Sequence, residues 1–252
     1  MDHLKKLATL YIACILFTIC GTALGQNRDL TISMAFLPDI LENPDKGVFV
    51  DLVKAIDDVY DGNIIRKVYP MARSIDNVTA GKADFHMPMI RNNVIPVDKL
   101  PYRYSTTKMG DVVFVIYSHK DNHITFEKIQ QAKNTKPFPY KIESMRGFAD
   151  YFDFQIQESD ALDSSMKKVD IKRIDAFIFA QEESDFTLKQ LKLKNVHREK
   201  YQSFDDVFVI PKGDKGKEID KILSECLLKL QKTGKLQELH KKVHLPYQKW
   251  QP

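Results

Sequence analysis

The sequence predicts an α/β fold with two lobes, and three observations lead to this prediction. Strand and helix signals alternate along almost the whole chain. Two strongly apolar runs, at 111–117 and 206–211, bracket a complete set of such signals. The chain has 252 residues, which is enough for two α/β units of ordinary size. The middle set therefore predicts an inserted lobe, and the chain crosses between the lobes twice.

The first lobe is predicted to contain three strands separated by two helices. β-rich runs alternate with segments whose apolar residues recur at helical spacing. Ser74 can cap the second helix, and a glycine follows its end. The predicted strands are 30–36, 64–69 and 83–90, and the predicted helices are 47–60 and 74–80.

The second lobe and the return to the first repeat this alternation. A helix is expected to start near Arg146 and Gly147, and its free N–H groups would favour an anion. The other predicted helices are 126–132, 161–169, 186–191 and 218–231, and the other predicted strands are 140–143 and 174–179.

The N-terminus has the pattern of a secretory signal peptide. Lys5 and Lys6 precede an uncharged apolar run, and Ala23 and Gly25 supply the small residues before an expected cleavage site. An uncleaved membrane anchor is the alternative, because the run approaches the length that spans a bilayer. We predict a signal peptide at 1–25, a first lobe from 26–110 with 206–252, and a second lobe at 111–205.

Composition excludes several functional classes. The net charge of +4 is too small for a nucleic-acid-binding face, so we expect no nucleic-acid partner. We also expect a monomer. Cys226 is the single cysteine after the predicted signal, which rules out an internal disulfide in the mature chain. Its helical spacing from neighbouring apolar residues predicts a buried core position.

Four stretches together resemble the extracellular solute-binding proteins of family 3, the polar amino-acid uptake type. They are Gly47–Leu52, the pair Pro70–Arg73 and Gly81–Asp84, Arg173–Ala176, and Phe208–Gly213 with Leu230–Leu239. The resemblance implies a type II periplasmic binding fold, a periplasmic location and capture of a small-molecule solute by lobe closure. It also implies an ABC permease as partner. A periplasmic sensor or accessory role without transport is the alternative.

Ligand-binding candidates in the first lobe follow from these motifs and from the predicted strand ends. Phe36 could wall the cleft or pack in the core, and Met71 stands where family members often place an aromatic wall. Arg73 could face the cleft or pair with an acid. Met89 and Arg91 stand at the end of the third strand, and the forked guanidinium of Arg91 suits a carboxylate or phosphate.

Candidates in the second lobe are Arg146, Gly147, Gln181 and Glu182. The arginine with which the family clamps an α-carboxylate is missing, since its place falls near Pro96. The acid that holds the α-ammonium is also missing, and Gln181 or Glu182 could substitute for it. The hypothesis is an anionic or amphoteric ligand that need not be a standard α-amino acid.

Catalysis and metal binding are not expected. Cyclohexadienyl dehydratases share the implied fold, but Glu182, Glu183 and His86 are candidates by residue type only. The histidine pairs 119/123 and 240/244 each lack a third metal ligand. We predict neither a metal nor any other cofactor.

Overall fold

The computed structural model describes residues 28–37 and 41–252, so the predicted signal peptide lies outside the described residues. In chain order the elements are β1 (Leu30–Ala35), α1 (Val48–Val59), β2 (Ile64–Tyr69), α2 (Met71–Thr79), β3 (Phe85–Ile90), β4 (Arg103–Tyr104), β5 (Gly110–His119), α3 (Phe126–Ala132), β6 (Ile142–Met145), β7 (Gln157–Ser159), α4 (Leu162–Asp170), β8 (Ala176–Ala180), α5 (Gln181–Leu191), β9 (Val196–Ile210), α6 (Gly213–Lys232) and α7 (Lys235–Val243).

The strands form one continuous sheet in the order β2-β1-β3-β9-β5-β8-β6-β7, with β4 beside β9. β1 is parallel to β2 and β3, and β6 is parallel to β7 and β8, as expected for strands connected through helices. β5 and β9 are antiparallel to each other and connect the two halves. The predicted α/β class is therefore confirmed.

Separate hydrophobic clusters lie on the two sides of the β5–β9 pair. We call β1–β4, α1, α2, α6 and α7 the first lobe, and β5–β8 with α3–α5 the second. In the first lobe, α1, α6 and α7 bury apolar side chains against β1 and β3. Cys226 lies in this cluster with 2% of its surface exposed, which confirms the predicted core position.

The helix expected at Arg146 is absent, and that prediction was wrong. Gly147 has a φ of +86°, in the left-handed region, so it makes a turn at the end of β6. The next regular element is a short 3-10 helix, Ala149–Tyr151. Because no α-helix begins here, the helix dipole that was expected to attract an anion is absent too.

Most of the other elements differ from their predicted bounds, and three of them illustrate why. α2 begins at Met71 directly after Pro70, so Ser74 lies inside the helix rather than capping it. α5 begins at Gln181, immediately at the end of β8. β9 is 15 residues long, because its polar first half continues the pairing with β5. Among the described residues, no helix has the length and hydropathy needed to cross a bilayer.

Candidate functional site

A cavity of about 500 Å³ opens between the two lobes, within the volume range of small-molecule sites. Both lobes contribute walls, and several lining residues directly follow a strand. In an open α/β sheet the carboxyl ends of strands converge on such a crevice. The lining residues that follow a strand are Leu37 after β1, Met71 after β2, Asn92 after β3, Gly147 after β6 and Glu182 after β8.

The walls of the cleft are mainly aromatic and aliphatic. In the second lobe the Phe148 ring lies 5.0 Å from that of Phe179 and 5.2 Å from that of Tyr151, measured between centroids. In the first lobe Tyr102 and Tyr104 pack edge to face at 5.5 Å. Such walls favour a ligand with an apolar or aromatic body.

Two hydrogen bonds already join the lobes across the cleft. The Tyr151 hydroxyl donates to the backbone carbonyl of Ile90 at 2.8 Å. The amide of Asn92 donates to the backbone carbonyl of Asp150 at 2.9 Å. Tyr151 and Asn92 are thus positioned to respond to any change in the distance between the lobes.

The polar groups of the cleft are largely acidic. Burial raises the pKa of Glu182 to about 7, and its carboxylate accepts the N–H of Leu245 at 3.1 Å. Burial also raises the pKa of Asp206, although His244 opposes the shift. The Nε2 atom of His244 lies 3.2 Å from Oδ2 of Asp206, while Oδ1 accepts the N–H of Met89 at 3.1 Å.

A glycine makes room for the histidine of this pair. A Cβ atom on Gly110 would lie 2.0 Å from the imidazole of His244, which no real contact permits. Gly110 begins β5, and Asp206 pairs with it on β9. The Asp206–His244 pair therefore lies at the point where the chain passes between the lobes.

Arg146 lines the cleft, but its guanidinium already has partners. It forms hydrogen bonds with both oxygens of Asp160 and with Glu158. The N–H of Gly147 donates to Glu158 at 2.8 Å. The groups expected to hold an anion are thus engaged by carboxylates of the same lobe.

The other predicted arginines lie outside the cleft lining. Arg91 donates to the carbonyl of Ser105 at 2.9 Å, lies 3.4 Å from Asp205 and covers the Tyr104 ring. Arg73 projects from the opposite face of α2 and lies over the ring of Tyr69.

Of the remaining predicted residues, Met71, Met89 and Glu182 line the cavity, whereas Phe36 and Gln181 do not. Phe36 is largely exposed beside the cleft residue Leu37. Gln181 is buried, and its amide binds the backbone of Pro246 and Gln248. Whether any of these residues binds a ligand stays a prediction.

Sequence reasoning missed the C-terminal tail, residues 245–252. The tail leaves α7 in the first lobe and packs on the second. The guanidinium of Arg198 is fully buried, donates to the carbonyls of Gln248 and Trp250, and stacks on the Trp250 ring at 4.2 Å. Aromatic residues among the last six positions were the one available signal for such docking.

Of the histidines considered for catalysis or metal binding, His244 lines the cleft, whereas His86, His119, His123 and His240 do not. His86 is fully buried beneath α2, where its Nδ1 atom lies 2.7 Å from the Ser74 hydroxyl. His119 accepts the N–H of Asp121, and His123 stacks on His197. Within 28–37 and 41–252, no group of three or more His, Cys, Asp or Glu side chains could hold a metal ion.

Of the comparisons with known proteins, the one with solved structures bears on the fold. No family model matches the sequence, and no curated protein matches it. Among solved structures, a histidine kinase sensor domain with similarity to periplasmic binding proteins has a TM-score of 0.60 at 13% identity, covering 85% of this chain and 95% of that one. The GluR0 ligand-binding core from Nostoc punctiforme, in complex with L-glutamate, has a TM-score of 0.60 at 14% identity, covering 86% and 100%.

The L-cystine solute receptor of Neisseria gonorrhoeae, in its unliganded open conformation, has a TM-score of 0.55 at 16% identity, covering 86% and 93%. The chain has the type II periplasmic binding fold. Most of the similar structures are binding proteins and receptors rather than enzymes, in line with the expected binding role.

Proposed function

We propose that this protein is an exported solute-binding protein that encloses one small molecule between its lobes. The observation that best supports this proposal is the cavity of about 500 Å³, which both lobes line at the carboxyl ends of their strands. Lobe closure about β5 and β9 would bury the ligand. The basic, apolar N-terminal sequence supports export to the periplasm.

The chemistry of the walls supports a ligand with an apolar body and an amine, such as an amino-acid-like molecule. Aromatic rings offer packing surface, while Glu182 and Glu183 offer carboxylates to an ammonium group. An anionic group would have to compete with Glu158 and Asp160 for Arg146. An anionic ligand therefore has weaker support than an amphoteric ligand.

Two roles are compatible with this binding activity. Delivery of the solute to an ABC permease is the proposed role, following the motif resemblance. The similarity to a histidine kinase sensor domain supports sensing as the second candidate. Uptake of the identified ligand by cells with and without the protein distinguishes the two, because a pure sensor leaves uptake unchanged.

Isothermal titration of the mature chain with a metabolite panel tests the proposal. The panel should pair aromatic and aliphatic amino acids with dicarboxylates of similar size. We expect saturable binding in the amine-bearing group, accompanied by a raised melting temperature. Tight binding of dicarboxylates alone would refute the proposed ligand class. Met89→Trp places a larger side chain in the cleft, and binding that survives this substitution would refute the proposed site.

The pKa of Glu182 predicts how binding depends on pH. Its carboxyl ionises at about 7, so an amine-bearing ligand should bind more tightly at pH 8 than at pH 6. Glu182→Gln should flatten this dependence, and Glu127→Gln, on the outer helix α3, should not. An unchanged pH dependence in Glu182→Gln would exclude Glu182 as the ammonium partner.

A further inference from the structure

A second cavity of about 450 Å³ lies on the other face of α2, between that helix and strands β1 and β2. Met71 and Ile75 point from α2 into the cleft, while Arg73 and Asn77 point into this second cavity. Helical periodicity places these two pairs on opposite faces. We call the second cavity the cationic groove, defined by Lys67, Arg73 and Lys82.

Among the described residues, no carboxylate forms an ion pair with the cations of this groove. Of the eight arginines in the described part of the chain, six lie within 4.0 Å of a carboxylate oxygen, while Arg73 and Arg173 do not. Among the described residues, no carboxylate lies within that distance of Lys67 or Lys82. Three positive charges thus share one concavity, and none of them forms an ion pair with a described carboxylate.

The floor and one wall of the groove are ordered by neutral contacts. Ser33 is 1% exposed, and its hydroxyl accepts hydrogen bonds from the Asn77 amide at 3.2 Å and the Ser74 hydroxyl at 3.0 Å. The guanidinium of Arg73 rests 5.3 Å from the centroid of the Tyr69 ring. This contact holds Arg73 in place while leaving its donors available.

A single acid, Asp76, lines the groove beside the three cations. The excess of positive charge favours a ligand that carries more than one negative charge, since one anionic group would leave charge unmatched. Arginine offers forked donors to phosphate oxygens, and lysine adds point charges. The described residues place this chemistry away from the cleft, so it is separate from solute capture.

We propose that the cationic groove is a second ligand site, which binds a small soluble polyanion of the pyrophosphate or phosphate-ester class. Arg73 and Lys67 hold the phosphoryl oxygens from two sides, and Lys82 neutralises a second charge. Binding here is independent of the proposed function, because it uses none of the cleft residues.

Calorimetric titration of the mature chain with inorganic pyrophosphate, at constant ionic strength, tests this site. We expect saturable binding by the unmodified chain. Its affinity should fall at least about tenfold in each of the single variants Arg73→Gln and Lys67→Gln, because each variant loses a charge-assisted hydrogen bond. Arg173→Gln is the matched control, since Arg173 is also exposed and unpaired but lies at the turn before β8. This control should bind like the unmodified protein.

Three calorimetric results would overturn the proposal. They are the absence of saturable heat, equal binding in Arg73→Gln and the unmodified chain, and equal weakening in Arg173→Gln, which would indicate general charge attraction. Vesicles containing phosphatidylglycerol form a separate arm. Co-sedimentation with vesicles without binding of pyrophosphate would assign the groove to a lipid headgroup and overturn the soluble ligand. Circular dichroism confirms that each variant is folded.

Discussion

Each lobe buries a basic side chain, and the two side chains have different partners. His86 lies in the first lobe beneath α2, where burial lowers its pKa to about 4 and keeps it neutral. Arg198 lies in the second lobe with a fully buried guanidinium, which donates hydrogen bonds to Asp185 and to two backbone carbonyls. His86 has a hydroxyl for a partner, whereas Arg198 has a carboxylate. Arginine keeps its proton in proteins, so its burial requires hydrogen-bond acceptors such as a carboxylate, whereas histidine can be buried in its neutral form.

The largest effect on stability is expected from removal of the Asp185 carboxylate in the second lobe. Asp185→Ala leaves Arg198 charged, buried and unpaired, and it removes the acceptor of the Tyr117 hydroxyl. We expect a loss of about 3–5 kcal/mol in the free energy of unfolding, measured by urea denaturation. The double variant Asp185→Leu with Arg198→Met should recover much of this loss. Equal stability of Asp185→Ala and the unmodified chain would contradict the role of the pair.

Acidification should weaken the first lobe through His86. Its pKa is lower in the folded chain than in the unfolded chain, where it is near 6.5, so the unfolded state binds the proton first. Stability is then fully present above pH 6.5 and falls by about 3 kcal/mol as the pH drops to about 4.

Comparison of His86→Gln with the unmodified chain at pH 7.5 and pH 4.5 isolates this effect. The variant should lose less stability between the two pH values, whatever its stability at neutral pH. His86→Asn serves as a second variant if the first does not fold. An identical loss in the variants and the unmodified chain would assign the acid sensitivity to other groups.

A smaller effect is expected where the tail covers Arg198. Trp250→Ala removes the ring 4.2 Å from the guanidinium and the hydrogen bond from its indole N–H to Asp185. We expect a loss of about 2 kcal/mol in the free energy of unfolding. Lys249→Ala, at the exposed neighbouring position, is the control and should change stability little. A Trp250→Ala variant as stable as this control would show that the tail contributes no stability.

Local patterns were sufficient for much of the fold. β2 and α3 have the bounds that their apolar spacing predicts. Met71, Met89 and Glu182, which the family resemblance placed at the cleft, line the cavity, and their binding of a ligand stays a prediction. Local patterns failed where a distant partner decides the structure. The first half of β9 has a polar sequence that does not predict a strand. Its extended conformation comes from pairing with β5.

The same limit explains the errors in the candidate site. The charge of Arg146 was visible in the sequence, but its neutralisation by Glu158 and Asp160 depends on the short strand β7 and the turn after it. Docking of the tail depends on Arg198, some fifty residues earlier in the chain. Neither contact leaves a periodic signal in the sequence.

The path of the tail has a practical consequence for measuring lobe motion. α7 belongs to the first lobe, but the residues after His244 are fastened to the second by Gln181, Glu182 and Arg198. A dye attached at Pro252 would therefore travel with the second lobe, although the helix preceding it travels with the first. Paired with a dye on α6, it would report opening and closing as a change in energy transfer, without a label inside the cleft.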